Sequence, residues 1–390
     1  MNGCLRSHAM KPAAPSEVVE VHGRADHKAF CALPYDLYRG DARWVPPLRL
    51  AEAQRWSVKH NASLKTRRVR RFLARRGGRA VGRVAAVVDE AFGERWEAGT
   101  GFFGFFECID DQAVCDNLLS AAHEALRAAG MSRALGPVNL STHEEVGLLV
   151  AGFETPPTVL TPYNPPYYGV LLSAAGYKPR LDYHSYLWTP AHRQAPVVER
   201  LVRSAARDGG WWRRLVVRPF DARRWEAENR TLWRLYNVCF KDVWGFVPLS
   251  WEEYMERAEV FRRFYRPELV LIAEFDGEAV GFGLSLPDVN SALNDLDGRL
   301  LPFGWLRLAR RVPRIRASRF ILSGVAPEFR GRGLSALIAA RMGEAMLALG
   351  MERVEVSLVH EANQSMQRVI RAFGCDRLKS FRLYEKSLLN

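Results

Sequence analysis

Residues 321–335 read ILSGVAPEFRGRGLS. The apolar run from Phe320 to Val325 reads as a buried strand, and Ala326-Pro327-Glu328 as a turn. Leu334, Leu337, Ile338, Met342, Met346 and Leu349 then recur at helical spacing, with Gly350 as the stop. Between strand and helix lies Arg330-Gly331-Arg332-Gly333-Leu334-Ser335. A glycine-rich turn at a helix N-terminus points backbone N–H groups outward and lets a phosphate come close. The helix dipole adds about 0.3–1 kcal/mol per charge. The stretch predicts a site for a phosphorylated ligand.

Three phosphate-binding patterns compete for it. A P-loop needs Gly-Lys-Ser/Thr after the glycines, and Leu334-Ser335 does not supply it. The dinucleotide pattern fits Gly331, Gly333 and Ala336 on paper, but that fold needs several further strand–helix units and only residues 336–390 remain. The third pattern is Arg-x-x-Gly-x-small. Downstream, Arg353–Val359 alternates like a strand, and His360-Glu361-Ala362-Asn363 forms a turn. Gln364–Phe373 reads as a helix stopped by Gly374, and Lys379–Leu388 as a last strand carrying Tyr384. Turn and downstream order together resemble the acyl-CoA pyrophosphate loop and C-terminal half of the GNAT superfamily of N-acetyltransferases. Ser335 stands where the family usually has Gly or Ala, and Val369 and Ile370 lie near the place of its frequent tyrosine acid. The resemblance implies an acyl-CoA co-substrate held by Gly324, Val325, Arg330, Gly331, Arg332, Gly333, Leu334, Ser335 and Asn363.

A chain of 390 residues, 48% hydrophobic and 25% charged, is long enough for two globular domains. It has no run of 18 apolar residues, so no membrane-spanning helix is expected. The opening MNGCLRSHAMKPAAPSE lacks an apolar core and reads as a loose tail. Six cysteines (4, 31, 108, 115, 239, 375) show no metal-ligand spacing, which predicts a cytoplasmic protein and no metal. The net charge of +13 concentrates in two blocks. Ten Lys/Arg fall between Arg55 and Arg79 without an acidic residue, and seven Arg between Arg299 and Arg319 among Leu, Phe and Trp. Such blocks suit CoA phosphates or anionic lipid, or are simply solvated faces. The expected partners are acyl-CoA, a lipid amine acceptor and an anionic membrane surface at the inner membrane, with no nucleic acid.

The C-terminal pattern has a precedent upstream. Phe72–Arg75, Gly77-Gly78 and Ala80–Val84 match Leu271–Glu274, Asp276-Gly277 and Ala279–Gly283 as strand, turn, strand. Phe102–Ile109, Leu118–Ala129, Asn164–Tyr177 and Tyr183–Trp188 would complete a second copy. No glycine-arginine loop occurs between Asp110 and Leu118, so this copy should lack a phosphate site. The expected organisation is a flexible tail at 1–19, a degenerate GNAT-like domain at 20–190, a linker at 191–212 and a GNAT acyl-CoA-binding domain at 213–390. The fold class is α/β: tandem GNAT-like domains, each a mixed twisted sheet flanked by helices. An insertion at 287–319 interleaves Leu300, Leu301, Phe303, Trp305, Leu306 and Leu308 with arginines, as an interfacial membrane segment does; packing on the first domain is the alternative. The stretch GPVNLSTHEEVG (136–147) either lines a cleft or stiffens a connection.

ARWVPPLR, FGFFECIDD, GPVNLSTHEEVGLL, YNPPYY, LPDVN and FRLYEKSL resemble, across nearly the whole chain, a long bacterial GNAT group that includes the bacterial ceramide synthases. The resemblance implies transfer of a fatty acyl group from acyl-CoA to the amine of a sphingoid base. Glu361 or Asp288, with His360 behind them, is the candidate base, Tyr384 the candidate proton donor, and a backbone N–H near Gly324-Val325 the oxyanion partner. Two other readings stay open: acetylation of a small-molecule or protein amine, and a non-catalytic acyl-CoA-binding module.

Overall fold

A computed structural model describes residues 15–194 and 210–389. Two hairpins seed its two halves. β2 (Arg67–Arg76) turns into β3 (Arg79–Asp89) through Gly77 and Gly78, both at positive φ, and β9 (Val270–Phe275) turns into β10 (Glu278–Pro287) through Asp276 and Gly277, again both positive. Two consecutive left-handed residues match the twist of the flanking strands, so each pair closes tightly. In each half a parallel pair follows, joined by a crossover helix. β4 (Thr100–Cys108) and β5 (Arg133–Gly136) flank the helix Gln112–Ala128; β11 (Ala317–Val325) and β12 (Arg353–His360) flank the helix Leu334–Ala348. Gly283 on β10 lets that second helix sit close, since a Cβ there would lie 2.7 Å from Ile338.

Among the described residues the halves share one thirteen-stranded mixed sheet. From one edge it runs β1 (Glu17–Glu20), β2, β3, β4, β5, β13 (Asp376–Ser387), β7 (Lys178–Trp188), β12, β11, β10, β9 and β8 (Leu215–Pro219), with β6 (Leu148–Ala151) beside β13. The closing strands are exchanged: β7 pairs with β12 of the second half, and β13 pairs with β5 of the first. β7 and β13 also pair with each other through the middle of the sheet. The mixed α/β fold expected from the sequence is therefore present as a single continuous sheet.

Several expectations change in detail. Glu17 to Val19, assigned to a loose tail, pair with β2; residues 1–14 of that tail lie outside the described residues. So do residues 195–209, most of the expected linker. The helix expected at 164–177 spans Tyr167–Ala174 only, because the Asn164 side chain bonds both backbone groups of Leu149 instead. The insertion is shorter than 287–319, since Pro287 pairs within β10 and Ala317–Arg319 within β11. The basic block at 55–79 is not a bare cationic face. Arg55, Lys65, Arg67, Arg68, Arg70, Arg75 and Arg76 each meet a carboxylate brought by another segment, and Arg67 is buried between Asp89 and Glu253. Sequence distance hid these partners.

Candidate active site

The parallel pair β11–β12 stays together only from Ala317–Arg353 to Phe320–Val356. Beyond it β11 runs on to Val325 and β12 to His360, so the strands part into a wedge. A β-bulge marks the parting point: β10 opposes Leu322 with Leu284 and Phe320 with Ser285, leaving Ile321 without a ladder partner on either side. The turn 330–335 closes the wide end. Gly331 (φ 77°) and Gly333 (φ 84°) take left-handed conformations that suit glycine, and a Cβ on Gly331 would meet nothing within 4 Å. Gly333 caps the helix Leu334–Ala348 without a side-chain hydrogen bond, so the first-turn N–H groups, Leu334 and Ser335 among them, are open to a ligand. Arg330 braces the turn by donating to the carbonyls of Cys239 (2.7 Å) and Val325 (3.2 Å). Arg332 is exposed and lies 5.8 Å from the centre of the Trp211 ring. Leu334 is buried as the anchor of the helix. Gly324 packs against Cys239, where a Cβ would come within 2.8 Å, and Val325 is paired with Gly281.

The first half has the same wedge, and it is filled. Beyond Phe102–Leu135 the Val138 N–H bonds Phe103 O (2.9 Å), and the Asn139 carboxamide oxygen accepts from the Phe105 N–H (2.7 Å). The helix Gln112–Ala128 is capped by the Asp111 carboxylate, itself paired with Arg76 at 2.7 Å. A carboxylate occupies the place where the second half leaves bare N–H groups.

Beside the second-half wedge lies a cavity of about 430 Å³, within the size range of small-molecule sites. Ile321 and Leu322 at the bulge, Phe282, Leu284 and Leu286 of β10, and Leu232 form an apolar wall. The opposite wall comes from the first half, through His143, Glu144 and Glu145 of the loop after β5. His143 is a brace. Its Nε2–H donates to Val247 O (2.6 Å), which leaves Nδ1 to accept the Tyr236 hydroxyl (2.8 Å). Desolvation, with Arg257 nearby, pushes its pKa down to about 3, so the ring is neutral. Glu144 differs. Burial raises its carboxyl above the usual range, and Arg257, 3.5 Å away, and Arg55 pull it only partly back.

The other candidates scatter. Glu361 is tied to β7, accepting from the Asp182 N–H (3.0 Å) and donating its own N–H to Asp182 O, on the side of β12 away from the wedge. Asp288 is buried and accepts from the Val159 N–H (2.9 Å); burial, then the Glu355 charge, raises its pKa to about 6. It sits in a set with Arg319, Glu355, Thr158 and Lys379 that pins residues 156–159 onto the second half. Arg319 reaches the cavity wall, and burial lowers its pKa to about 10. Tyr384 packs in the first-half core, opposite Gly136 of β5 and three strands from β11. Asn363 caps the helix Gln364–Ala372 by accepting from the Met366 N–H (3.1 Å). The structure thus brings the turn, the bulge and Glu144 around one wedge and cavity, and leaves Glu361 and Tyr384 apart from it. Sequence reading missed Glu144 as a site residue; the paired acids in GPVNLSTHEEVG were the available signal.

Comparison with known proteins agrees with this architecture. Residues 230–375 match the model of the acetyltransferase (GNAT) family. The chain is 37% identical over 382 residues to a bacterial ceramide synthase of Caulobacter vibrioides, covering 96% of this chain and 98% of that one. It is 30% identical over 370 residues to protein YghO of Escherichia coli, covering 93% of each. Among solved structures, a tandem GNAT protein from the clavulanic acid biosynthesis pathway shares the fold with TM-score 0.57 at 14% identity, over 96% of this chain and 99% of that one. A GCN5-related N-acetyltransferase from Sphaerobacter thermophilus does so with TM-score 0.54 at 13% identity, over 97% and 98%. With one open wedge, one filled wedge and relatives that match more than nine-tenths of its length, the chain belongs to the GNAT family of acyl-CoA-dependent N-acyltransferases, as a tandem member.

Proposed function

We propose that the protein moves a fatty acyl group from acyl-CoA to the amine of a long-chain sphingoid base. The observation that carries this reading is the apolar cavity opening at the Ile321 bulge, because an acetyl group needs no such volume. The name of the 37% identical relative points the same way. In this reading the turn 330–335 holds the CoA pyrophosphate, and the thioester lies where β11 and β12 part. The acyl chain runs between β10, β11 and Leu232. The amine nitrogen attacks the thioester carbon, and a free strand N–H near Ile321 to Val325 holds the oxyanion. Glu144 takes the proton from nitrogen as the C–S bond breaks. That proton passes to the departing sulfur, giving an amide and free CoA thiol. Glu144 is preferred to Glu361 and Asp288 because it alone of the three lines the cavity. Asn363 acts as a helix cap, Tyr384 as a core residue.

The acceptor class calls for a membrane. Removing a long-chain base from a bilayer costs about 0.8 kcal/mol per CH₂, on the order of 10 kcal/mol in all. The insertion supports docking on an anionic surface. Its near end is fastened to the first half, where the Arg49 N–H bonds Gly298 O and its guanidinium meets Asp297 at 3.0 Å. Leu301, Phe303 and Trp305 remain 79%, 67% and 51% exposed, beside the exposed Arg307 and Arg310. No helix among the described residues is long and apolar enough to cross a membrane. The deciding experiment supplies purified protein with palmitoyl-CoA and vesicle-borne sphinganine, and separately with acetyl-CoA and a soluble amine. Mass spectrometry should find N-palmitoyl sphinganine; product only from the soluble pair would refute the lipid reading.

A further inference from the structure

A second cavity, of about 190 Å³, lies in the first half against β4, and the chemistry above makes no use of it. Its lining includes Glu52, Glu107 and Glu145 together with Arg55 and Arg83. We propose that it receives the polar head of the acceptor: an alkylammonium group with an oxygen function on a neighbouring carbon. The proposal rests on the acyl-transfer reading and assigns to the first half the task of selecting the amine.

Charge points to a cation. Glu52 is paired with Arg83 (3.0 Å) and lies 3.8 Å from Arg55, while Glu145 is paired with Arg55 at 3.1 Å. Glu107 is left with the weakest ionic partner, Arg83 at 3.8 Å. Burial raises the Glu107 pKa, and Arg83 together with the hydroxyl hydrogens that Tyr38 (2.6 Å) and Tyr168 (2.8 Å) donate to Oε2 oppose that rise and favour the carboxylate, as a bound ammonium would further. Arg71, the next guanidinium, does not line the cavity; it bonds His27 and lies over Trp56 and Phe30. The cavity therefore carries three carboxylates against two guanidiniums. Buried charge without a counterion is costly, and one ammonium ion restores the balance. The same count disfavours a phosphate or carboxylate ligand.

A different atom points to the oxygen. Arg83 lines the cavity, is only 5% exposed, and keeps its Nε–H without a hydrogen-bond partner among the described residues. Buried donors are almost always satisfied, so an acceptor is missing there. A hydroxyl or carbonyl next to the amine carbon provides one, and a simple alkylamine does not. The location fits the reaction as well. Arg55, Glu145 and Leu160 line both this cavity and the acyl cavity, so the two share a wall, and Glu144 adjoins Glu145 at that border. An ammonium group entering through the first half meets Glu144 first, gives it one proton, which passes on to solvent, and reaches the thioester as the neutral amine, whose second proton then follows the route to sulfur given above.

The test measures KM for sphinganine in mixed micelles at saturating palmitoyl-CoA, with the palmitoyl-CoA Kd read separately by calorimetry. Two variants are compared with the wild type. Glu107→Gln removes the surplus charge, and Val45→Trp fills the cavity at its half-buried rim without touching a charged group. Each should raise the sphinganine KM at least about tenfold while leaving the palmitoyl-CoA Kd and the melting temperature near wild type. Wild-type protein should prefer sphinganine to octadecylamine, which has the ammonium and the chain but no oxygen. A wild-type sphinganine KM in a folded Val45→Trp protein overturns the proposal, whatever Glu107→Gln does. If wild-type protein forms no N-acyl sphinganine at all, the acyl-transfer reading itself fails, a result distinct from failure of the cavity assignment.

Discussion

In the proposed reading, acyl-CoA binding turns on Gly333. Its φ of 84° is costly for a β-branched side chain by about 1–2 kcal/mol, and a Cβ there would crowd the approach to the helix N-terminus. Gly333→Val should therefore remove measurable acyl-CoA binding in calorimetry while the protein still melts cooperatively; unchanged affinity would show the phosphate site to be elsewhere. In the same reading Glu144 serves the chemistry alone. Glu144→Gln should lower kcat by about 10²–10⁴ with the acyl-CoA Kd unchanged, since only the proton acceptor is lost. His123, bonded to the Tyr177 hydroxyl at 2.7 Å in the first-half core, reports on pH. Burial depresses its pKa to about 4, below the ordinary 6.5, so the unfolded chain binds a proton that the folded chain refuses. Its contribution is complete above about pH 6.5 and is lost as pH falls towards 4, by about 2 kcal/mol at pH 5. The urea midpoint of wild-type protein should fall faster from pH 7 to pH 5 than that of His123→Gln, which keeps a hydrogen-bonding side chain but cannot charge.

At the scale of elements, the helix Gly304–Arg311 gives the sharpest prediction. It buries Leu308 and leaves Trp305, one turn earlier, half exposed, with exposed Leu301 and Phe303 just before it. Replacing Leu301, Phe303 and Trp305 with Ser should reduce sedimentation with anionic vesicles and activity on vesicle-borne sphinganine, and leave acyl-CoA affinity intact. Salt should weaken the wild-type binding, because each surface Arg contributes about 1 kcal/mol over a range of about 8 Å. These elements show what a sequence can reveal. Gly77-Gly78 and Asp276-Gly277 announced both hairpins because turn chemistry is local, and the 330–335 turn was legible for the same reason. Glu144 was not, since it reaches the cavity only when the loop after β5 meets β10, β11 and the helix Trp225–Phe240 across the molecule. Tyr384 misled in the opposite way: it lies on the expected strand, but strand exchange carries that strand into the other half.

Taken whole, the molecule is one sheet with two histories. The first half keeps the hairpin, parallel pair and crossover helix, yet Asn139 and Asp111 fill the positions that the second half leaves open. Exchange of β7 and β13 makes the halves interdependent: each lends the other a strand of eleven or twelve residues at the centre of the sheet. Residues 15–194 expressed alone should therefore lack a cooperative melting transition, whereas a chain cut within 195–209 after folding should stay associated and active; an independently stable first half would contradict this. The exchange also sets an order in time. A chain made from its N-terminus has β5 ready long before β13 exists, so the ribosome must deliver nearly the whole protein before the first half can close. During that interval β5 presents an open edge, a template for wrong pairing. Loss of only the last dozen residues would leave that edge open for good, so a late stop codon should be as damaging to this protein as an early one.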